Sequence, residues 1–392
     1  MSIALDLPAL SPEEAAHGAR LGERLREEIE RAGGWIGFAR YMQLALYEPG
    51  LGYYSAGARK FGAAGDFITA PEVAPVFSRC LAVQCAEVLE KLGGGDLLEL
   101  GAGSGMMAAT LLGELERREA LPRRYLILDV SADLRQRQQE TLAALVPRLL
   151  ERVEWLDRPP DGLEGLVVAN EVLDAQPVER FVLRNGVVHA LGVAWERDGP
   201  AWSEAPAPAR LAEAVRRLER ETGATWPEGF ASEVNLDLAD WLAAVAAALA
   251  RGVLLFVDYG LPRREYYMPE RSDGTLLCHF RHRFHDDPFA RPGLQDITAW
   301  VDFTAVAEAG QAAGLELAGY TTQAHFLIGN GIGEFVANVA DLDVVERVNL
   351  SRQAMLLTLP GEMGERFKAM ALARGYDSPL RGFASRDLRH TL

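Results

Sequence analysis

One short stretch constrains the fold of this chain more than any other, residues 96–105 with the sequence DLLELGAGSG. An apolar run that contains an acidic residue is followed by Gly101, Gly103 and Gly105 at alternate positions. This pattern predicts a buried parallel strand, a tight turn and the start of a helix. Glycine lets the backbone come close to a ligand, and the N-terminus of a helix favours negative charge. Such turns are typical of sites that bind adenosine-containing cofactors.

The spacing of the glycines indicates which cofactor to expect. A dinucleotide-binding turn follows G-x-G-x-x-G and holds a pyrophosphate. Here Gly105 comes one residue early, and Glu99 stands just before the turn. S-adenosylmethionine (SAM) has no phosphate, but its amino-acid moiety carries an ammonium group that needs an acceptor. The pattern therefore favours SAM over a nicotinamide cofactor, with an accidental glycine-rich turn as the plain alternative.

Two later strands supply the remaining predicted cofactor contacts. Residues 125–130 form a second apolar strand with Asp129 near its end, where a carboxylate would hold the ribose hydroxyls. A solvated strand end is the alternative for Asp129. Leu156 follows the third predicted strand, where the adenine ring is usually held. The full set of predicted cofactor-binding residues is Glu99, Gly101, Ala102, Gly103, Gly105, Asp129, Thr69, Leu156 and Asn170.

Composition narrows the choice of partners and compartment. The formal net charge of the 392 residues is −16, and no Lys/Arg-rich stretch offsets it, which argues against nucleic acid. An acidic surface suits a basic partner, or it simply keeps the protein in solution. The three cysteines show neither a disulfide framework nor a metal spacing, and the longest apolar run is too short to span a bilayer. These features predict a cytoplasmic protein without membrane insertion.

The alternation of strands and helices over residues 96–170 predicts an α/β fold with a doubly wound, Rossmann-like parallel sheet. We expect N-terminal helices and a cofactor-covering segment in 1–92, and the first half of the core in 93–170. We expect an inserted hairpin and helical region in 171–250, and the rest of the core with C-terminal helices in 251–392. Local patterns further predict helices at 35–47 and 364–373, a hairpin at 181–188, loops at 201–209 and 259–301, and a strand at 324–328.

Acidic residues follow the fourth predicted strand, in the sequence NEVLDAQP at 170–177. Ligands of open α/β sheets lie beyond the carboxyl ends of the strands, so Glu171 and Asp174 are expected to face the methyl group of SAM. Two carboxylates there can hold a guanidinium through bidentate hydrogen bonds. Positioning and electrostatics would then provide most of the rate acceleration. The alternative is that Glu171 is the acid at a helix start and Asp174 a solvated turn residue.

A glycine-rich segment at 62–72 precedes the core and shows little periodicity. Segments of this kind are often binding loops, so we expect it to fold over the cofactor with Asp66, Thr69 and Glu72 as polar contacts. Asp66 and Glu72 join the predicted catalytic set. An ordinary connector packed by its aromatic residues is the alternative.

Three histidines lie at 279, 282 and 285, a spacing that would allow metal binding on one helical face. The intervening Arg281 and Arg283 disfavour a bound cation, so we predict no metal and a polar loop that contacts substrate or cofactor. Asp296 and Asp302 are also expected near the carboxyl edge of the sheet, and the alternative is that Thr298 or Asp302 caps the following helix.

These segments together resemble the MidA-like SAM-dependent methyltransferases, a family that includes the mitochondrial complex I assembly-factor arginine methyltransferase. The matching segments are YEPGLGYY (47–54), GDFITAPE (65–72), ELGAGSG (99–105), NEVLDAQP (170–177), DYG (258–260), HRFHD (282–286) and DITAWVDF (296–303). The resemblance extends from about residue 38 to residue 367. It implies a seven-strand methyltransferase core with an added helical and hairpin region, and SAM as the methyl donor. For the eukaryotic relatives it implies symmetric dimethylation of an arginine on a core subunit of respiratory complex I.

We therefore expect a SAM-dependent protein arginine N-methyltransferase whose substrate is a protein with an exposed arginine, a complex I subunit being one candidate. A methyltransferase for a small molecule and a non-catalytic, SAM-binding assembly chaperone are the alternatives. The N-terminal residues do not resemble a transit peptide, which suggests a bacterial member of the family. The oligomeric state stays open, with a homodimer among the alternatives.

Overall fold

The computed structural model describes residues 7–56, 71, 74–197, 199–337 and 343–392. In chain order its helices are α1 (Pro12–Arg31), α2 (Phe38–Tyr47), α3 (Pro75–Leu92), α4 (Met106–Arg117), α5 (Ala132–Leu145), α6 (Ala209–Thr222), α7 (Leu238–Ala248), α8 (Arg263–Tyr266), α9 (Phe303–Ala312), α10 (Gln323–Gly329), α11 (Ile332–Ala337), α12 (Val344–Thr358) and α13 (Met363–Arg366). Short 3₁₀ helices cover Pro147–Arg152, Arg381–Phe383 and Arg389–Thr391. Among the described helices, none combines the length and the apolar character that crossing a lipid bilayer requires.

The strands in chain order are β1 (Trp35–Ile36), β2 (Asp96–Leu100), β3 (Tyr125–Leu128), β4 (Val153–Leu156), β5 (Leu163–Asn170), β6 (Glu179–Arg184), β7 (Val187–Glu196), β8 (Gly199–Pro206), β9 (Ala231–Val234), β10 (Leu249–Leu261), β11 (Leu277–Phe280), β12 (Arg283–His285), β13 (Asp296–Thr298), β14 (Val301–Asp302), β15 (Glu316–Thr322) and β16 (Phe367–Arg374). The chain divides into two compact units. We call them the hairpin unit (Met1–Ile68, Leu173–Asp237 and Arg263–Trp300) and the sheet unit (Thr69–Val172, Leu238–Pro262 and Val301–Leu392).

The sheet unit contains the α/β core. Its strand order is β15-β16-β10-β5-β2-β3-β4, with β14 beside the end of β10. The strands from β10 to β4 pair in parallel, whereas β16 is antiparallel to both β10 and β15. Among the parallel strands, the chain order runs outward in both directions from the β2–β5 pair, which confirms the predicted doubly wound α/β class. A ligand site is expected beyond the carboxyl ends of those two strands, where the order reverses.

The amino ends of three neighbouring strands approach closely because two of their residues are glycine. Gly252 of β10 stands opposite Gly165 of β5, and Gly165 stands opposite Asp96 of β2. A Cβ on Gly252 would lie 1.8 Å from the carbonyl oxygen of Gly165, and a Cβ on Gly165 would lie 1.9 Å from that of Asp96. Their φ angles, 139° and 148°, also favour glycine. These positions therefore determine the spacing of the sheet on which the site is built.

The hairpin unit is antiparallel. Its larger sheet has the order β1-β7-β6-β9 with β8 beside β7, and a smaller sheet has the order β12-β11-β13. Asn185 and Gly186 connect β6 and β7 with φ angles of 50° and 72°, as the type I′ turn of a two-residue hairpin requires, so the predicted hairpin is confirmed. Helix α1 begins with a capping box formed by Ser11 and Glu14.

The predicted strand at 324–328 is wrong. Those residues lie in α10, and the strand is the preceding β15. Thr322 caps α10, because its side chain accepts a hydrogen bond from the backbone N–H of His325. An apolar run of this length fits a strand or a buried helix equally well, so its pattern alone does not decide between them.

The predicted helix at 364–373 is also wrong beyond Arg366. Strand β16 follows the single turn of α13 and is buried along nearly its whole length. The run FKAMALAR favours a helix by local propensity, but pairing with β10 on one side and β15 on the other overrides that preference.

The predicted loop at 201–209 is for the most part β8, which pairs with β7. Pro200 and Pro206 lie at its two ends, and β8 is an edge strand within the described sheet, where a missing N–H is tolerated. The predicted loop at 259–301 contains α8 and the smaller sheet.

The helix predicted at 35–47 begins only at Phe38, after the short strand β1. The carboxylate of Glu179 accepts hydrogen bonds from the backbone N–H groups of Phe38 and Ala39 and so serves as the missing cap.

We expect Gly252→Ala to destabilise the protein strongly, by about 3 kcal/mol or more, because the new methyl group overlaps backbone and not a movable side chain. Gly333→Ala is the matched control. Gly333 lies in α11, and a Cβ added there would meet no neighbouring atom within 4 Å, so its change should stay within about 1 kcal/mol. Unfolding by heat and by denaturant measures the stability change of each variant. Equal stability of the Gly252→Ala variant and the wild type would contradict the strand spacing described here.

Candidate active site

The glycine-rich turn joins β2 to α4 as the sequence predicts. Gly101, Gly103 and Gly105 have φ angles of 65°, 52° and 84°, all in the left-handed region. A Cβ on Gly101 would lie 3.1 Å from Val172, and one on Gly105 would lie 3.0 Å from Cα of Gln138. A Cβ on Gly103 meets no described atom within 4 Å. The outer two glycines thus allow close packing within the protein, whereas the middle one faces a space that the described residues leave open to a ligand.

Glu99 is a buried acid with one unsatisfied oxygen. Its side chain is 1% exposed, and its Oε2 accepts a hydrogen bond of 2.5 Å from the hydroxyl of Tyr125. Its Oε1 is buried and has no hydrogen-bond partner among the described residues. Burial raises the pKa of Glu99 to about 7, the Tyr125 hydrogen bond lowers it in part, and the nearby Asp129 raises it. A buried acceptor of this kind fits a cationic donor such as an ammonium group.

Asn170 presents a second buried acceptor on the neighbouring strand β5. Its Nδ2 donates to Oε1 of Glu171 at 3.0 Å, and its Oδ1 has no hydrogen-bond partner in the described part of the chain. Strands β2 and β5 are the pair at which the strand order reverses. Glu99 and Asn170 therefore offer two acceptor oxygens at the edge where a ligand is expected.

Asp129 follows β3 at the same edge of the sheet. Its Oδ1 accepts from the backbone N–H of Ser131 at 3.0 Å, and its Oδ2 accepts from Nε2 of Gln138 at 2.8 Å. Burial raises its pKa, and these two hydrogen bonds act in the opposite direction. Each oxygen keeps a lone pair for a further donor. The carboxylate is therefore held in one orientation and can still accept from a ribose hydroxyl.

Val130, directly after Asp129, is 79% exposed although its side chain is apolar. An apolar residue next to the predicted ribose-binding acid offers a surface that a nucleoside ring can cover. Val130 was not among the residues predicted from the sequence, although an apolar residue right after such an acid is a recognisable signal. Leu156, predicted near the adenine ring, ends β4 and is partly exposed, and its carbonyl accepts from Arg135 at 2.6 Å.

Glu171 has a left-handed backbone, with a φ of 54°, at the carboxyl end of β5. Such a conformation in a residue other than glycine costs of order 1–3 kcal/mol and is concentrated at functional sites. Hydrogen bonds from Glu171 N to Val257 O at 2.9 Å, and from Val172 N to Oδ2 of Asp258 at 3.2 Å, hold this turn. Asp258 lies within a segment that matches the family, but the sequence alone gave it no role. No helix begins at Glu171 in the described chain, so that alternative is wrong.

Four further residues were predicted for the site, namely Asp174, and Asp66, Thr69 and Glu72 of the glycine-rich segment at 62–72. Asp174 belongs to the hairpin unit, is 3% exposed, and its backbone carbonyl accepts from Ala299 N at 3.0 Å. It is not the solvated turn residue of the alternative interpretation. The predicted contacts Asp66, Thr69 and Glu72 lie outside the described residues.

The histidine-rich run is a β-hairpin and not the predicted loop. His279 lies on β11, His285 lies on β12, and His282 lies in the turn between these strands with a φ of 61°. Within the described residues, no group of three or more His, Cys, Asp or Glu side chains could hold a metal ion. Asp302 caps α9 by accepting from the backbone N–H of Ala305 at 3.1 Å, which confirms the capping interpretation.

Comparison with known proteins identifies the family of the chain. The profile of a family described as "Putative S-adenosyl-L-methionine-dependent methyltransferase" matches residues 80–321. The chain belongs to this family of SAM-dependent methyltransferases, which confirms the resemblance seen in the sequence. SAM is therefore its methyl donor, and the open glycine turn and the buried acceptors of Glu99 and Asn170 fit that group.

Individual relatives cover nearly the whole chain. A crystal structure of a Burkholderia thailandensis protein with S-adenosyl-homocysteine bound is 43% identical, with a TM-score of 0.94 over 99% of this chain and 100% of that one. The Drosophila melanogaster protein named protein arginine methyltransferase NDUFAF7 homolog, mitochondrial, is 28% identical over 94% of this chain and 87% of its own length. The mouse protein arginine methyltransferase NDUFAF7, mitochondrial, is 29% identical over 86% and 81%, respectively.

We expect the affinity for S-adenosyl-homocysteine to fall as the pH drops below about 7. The pKa of Glu99 is about 7 in the absence of ligand, and pairing with an ammonium group requires the ionised carboxylate. Below this pKa the carboxyl group must lose a proton before it can pair, so the affinity should fall by up to about tenfold per pH unit. Calorimetry at about pH 6, 7 and 8 measures this dependence and the proton released on binding.

Glu99→Gln is the control for this experiment. The amide does not titrate in this range, so the variant should bind weakly and with a much flatter pH dependence. An identical pH dependence in the variant and the wild type would show that another group titrates, and would remove Glu99 from the ammonium site.

Proposed function

We propose that this chain is a SAM-dependent protein arginine N-methyltransferase in which Glu171 holds the acceptor guanidinium. The observation that carries the proposal is the strained, left-handed backbone of Glu171 at the carboxyl end of β5, where the strand order reverses. The names of the relatives, which are protein arginine methyltransferases, support the choice of acceptor.

The cofactor would be held by groups on four neighbouring strand ends. Oε1 of Glu99 and Oδ1 of Asn170 would accept from its ammonium group. The backbone of the turn from Gly101 to Gly105, including the buried Ala102, would line the amino-acid moiety. Asp129 would accept from the ribose hydroxyls, and Val130 and Leu156 would cover the adenine ring. When bound, SAM supplies an electrophilic methyl group on a sulfonium centre.

Glu171 would act on the acceptor by position and charge. A carboxylate can accept two parallel N–H bonds from a guanidinium, which orients one nitrogen and stabilises the planar cation. The same carboxylate can accept the proton that this nitrogen gives up. Because the backbone hydrogen bond from Glu171 to Val257 fixes the turn, little reorganisation is needed when the acceptor arrives.

The remaining site residues rest on sequence motifs alone. Asp174 is proposed as a second carboxylate for the guanidinium, with Asp66 and Glu72 as further acidic contacts and Thr69 as a cofactor contact.

The acceptor is an exposed arginine of a protein, with a respiratory complex I-type subunit as the candidate that the family resemblance implies. The net charge of −16 suits a basic acceptor. Three free, buried cysteines support a reducing compartment such as the cytoplasm.

Transfer of radiolabel from methyl-labelled SAM into a cell extract tests this function. We expect a labelled protein band whose acid hydrolysate contains methylarginine. A labelled small product would instead indicate a small-molecule methyltransferase. Absence of label, with S-adenosyl-homocysteine still bound, would indicate a chaperone that keeps the cofactor as a structural ligand.

Glu171→Gln tests the residue. We expect the affinity for S-adenosyl-homocysteine to stay within about twofold, and transfer to slow by about 100-fold or more, because the amide is neutral and holds a guanidinium poorly. Glu164→Gln is the matched control: the same change on the same strand, at an exposed position near its amino end, should leave both quantities unchanged. Normal turnover of the Glu171→Gln variant would show that another group holds the acceptor.

A further inference from the structure

We propose that Gln138 of α5 is a positioning residue that fixes the carboxylate of Asp129 for recognition of the cofactor ribose. The inference rests on the ribose-binding role proposed for Asp129. It does not depend on the identity of the methyl acceptor.

The side-chain amide of Gln138 bonds to three separate strand ends. Its Nε2 donates to Oδ2 of Asp129 at 2.8 Å and to the carbonyl of Gly103 at 3.1 Å. Its Oε1 accepts from Nε1 of Trp155 at 3.0 Å. Gln138 is completely buried, so water does not compete for these bonds. One amide thereby links the segments that follow β2 and β3 to the strand β4.

Both N–H groups and the carbonyl of an amide are needed for this arrangement. A carboxylate at position 138 would have no proton to donate and would face the charge of Asp129. An apolar side chain of similar length would leave the carboxylate, the carbonyl of Gly103 and the indole N–H without these partners. The Cα of Gln138 also limits the turn, because a Cβ on Gly105 would lie 3.0 Å from it. Glutamine at position 138 therefore meets the bonding requirements, whereas the contact of its Cα restricts the residue at position 105.

These hydrogen bonds hold the carboxylate of Asp129 in one orientation. Gln138 holds Oδ2 of Asp129, and the backbone N–H of Ser131 holds Oδ1 at 3.0 Å. A ribose diol would then meet two oxygens already aligned. Without Gln138 the carboxylate keeps its charge but loses its fixed orientation. The loss should therefore fall mainly on the ribose hydroxyls. The turn that lines the amino-acid moiety would lose one hydrogen bond, the one from Gln138 to the carbonyl of Gly103, and so should be affected less.

Arg135, three residues earlier on α5, provides the comparison. It donates to the backbone carbonyl of Asp129 at 2.7 Å and to that of Leu156 at 2.6 Å, and it pairs with Asp157 at 2.7 Å. No hydrogen bond between Arg135 and the Asp129 carboxylate or the glycine turn occurs in the described structure. Burial raises the pKa of the Asp129 carboxyl and the charge of Arg135 lowers it in part, but the hydrogen bonds of Arg135 to Asp129 and Leu156 go to backbone carbonyls and so do not fix the orientation of the carboxylate.

The test compares two ligands in the whole protein, S-adenosyl-homocysteine and its 2′,3′-dideoxy analogue. We expect Gln138→Met to weaken the binding of S-adenosyl-homocysteine by about tenfold or more, and to weaken the binding of the analogue by less than about threefold. Gln138→Met combined with Asp129→Ala should bind no worse than Asp129→Ala alone, because the two residues act as one unit. Arg135→Met should lower the unfolding temperature and keep the wild-type ratio of the two affinities.

Equal weakening of both ligands by Gln138→Met would show a merely structural role and overturn the inference. If the wild-type protein binds both ligands equally, Asp129 does not bind the ribose hydroxyls, and the inference is overturned. Neither result depends on arginine methylation, so failure of the proposed acceptor can be told apart from failure of this positioning role.

The indole proton of Trp155 gives a readout that needs no ligand. Its nuclear magnetic resonance signal, assigned through Trp155→Phe, should move and exchange faster with water in Gln138→Met because its acceptor is gone. The signal should stay in place in Arg135→Met. An unchanged signal in Gln138→Met would show that the linking hydrogen bond is absent, and would overturn the inference.

Discussion

The proposed site depends first on one buried acid, Glu99, which lies on β2 among the parallel strands of the sheet. Tyr125 satisfies one of its oxygens, and burial raises the pKa of the group to about 7. Keeping an ionised carboxylate in such a place is unfavourable unless a cation pairs with it. The bound cofactor can provide that cation, so the same residue that weakens the ligand-free protein at neutral pH strengthens the complex.

The sheet places further polar groups at the same edge as Glu99. Parallel strands bring their carboxyl ends to one edge, and the β2–β5 pair marks the point where the strand order reverses. Glu99 and the glycine turn, Asp129, and the Asn170–Glu171 pair come from three different strands at that edge. At the amino ends of β5 and β10, away from the site, Gly165 and Gly252 allow these two strands to lie close to each other. Helix α5 then fixes the segments that the sheet brings together.

Local signals explain what could be predicted from the sequence. The glycine turn, the capped first helix and the Asn-Gly hairpin are each encoded within a few adjacent residues. The predictions for β16 and α10 are wrong for two reasons. Pairing with strands distant in sequence overrides the helical propensity of β16, and the apolar run in α10 has no decisive period. Gln138 was missed for a similar reason. It lies in a polar helical stretch beside other glutamines, and only packing distinguishes it from them.

A crystal structure with S-adenosyl-homocysteine bound tests the central claim most directly. We expect the ligand's amino nitrogen about 3 Å from Oε1 of Glu99, with the ribose hydroxyls donating to Asp129 and the nucleoside beside the open face of Gly103. A ligand whose amino group lies away from Glu99, with that oxygen still unsatisfied, would contradict the claim.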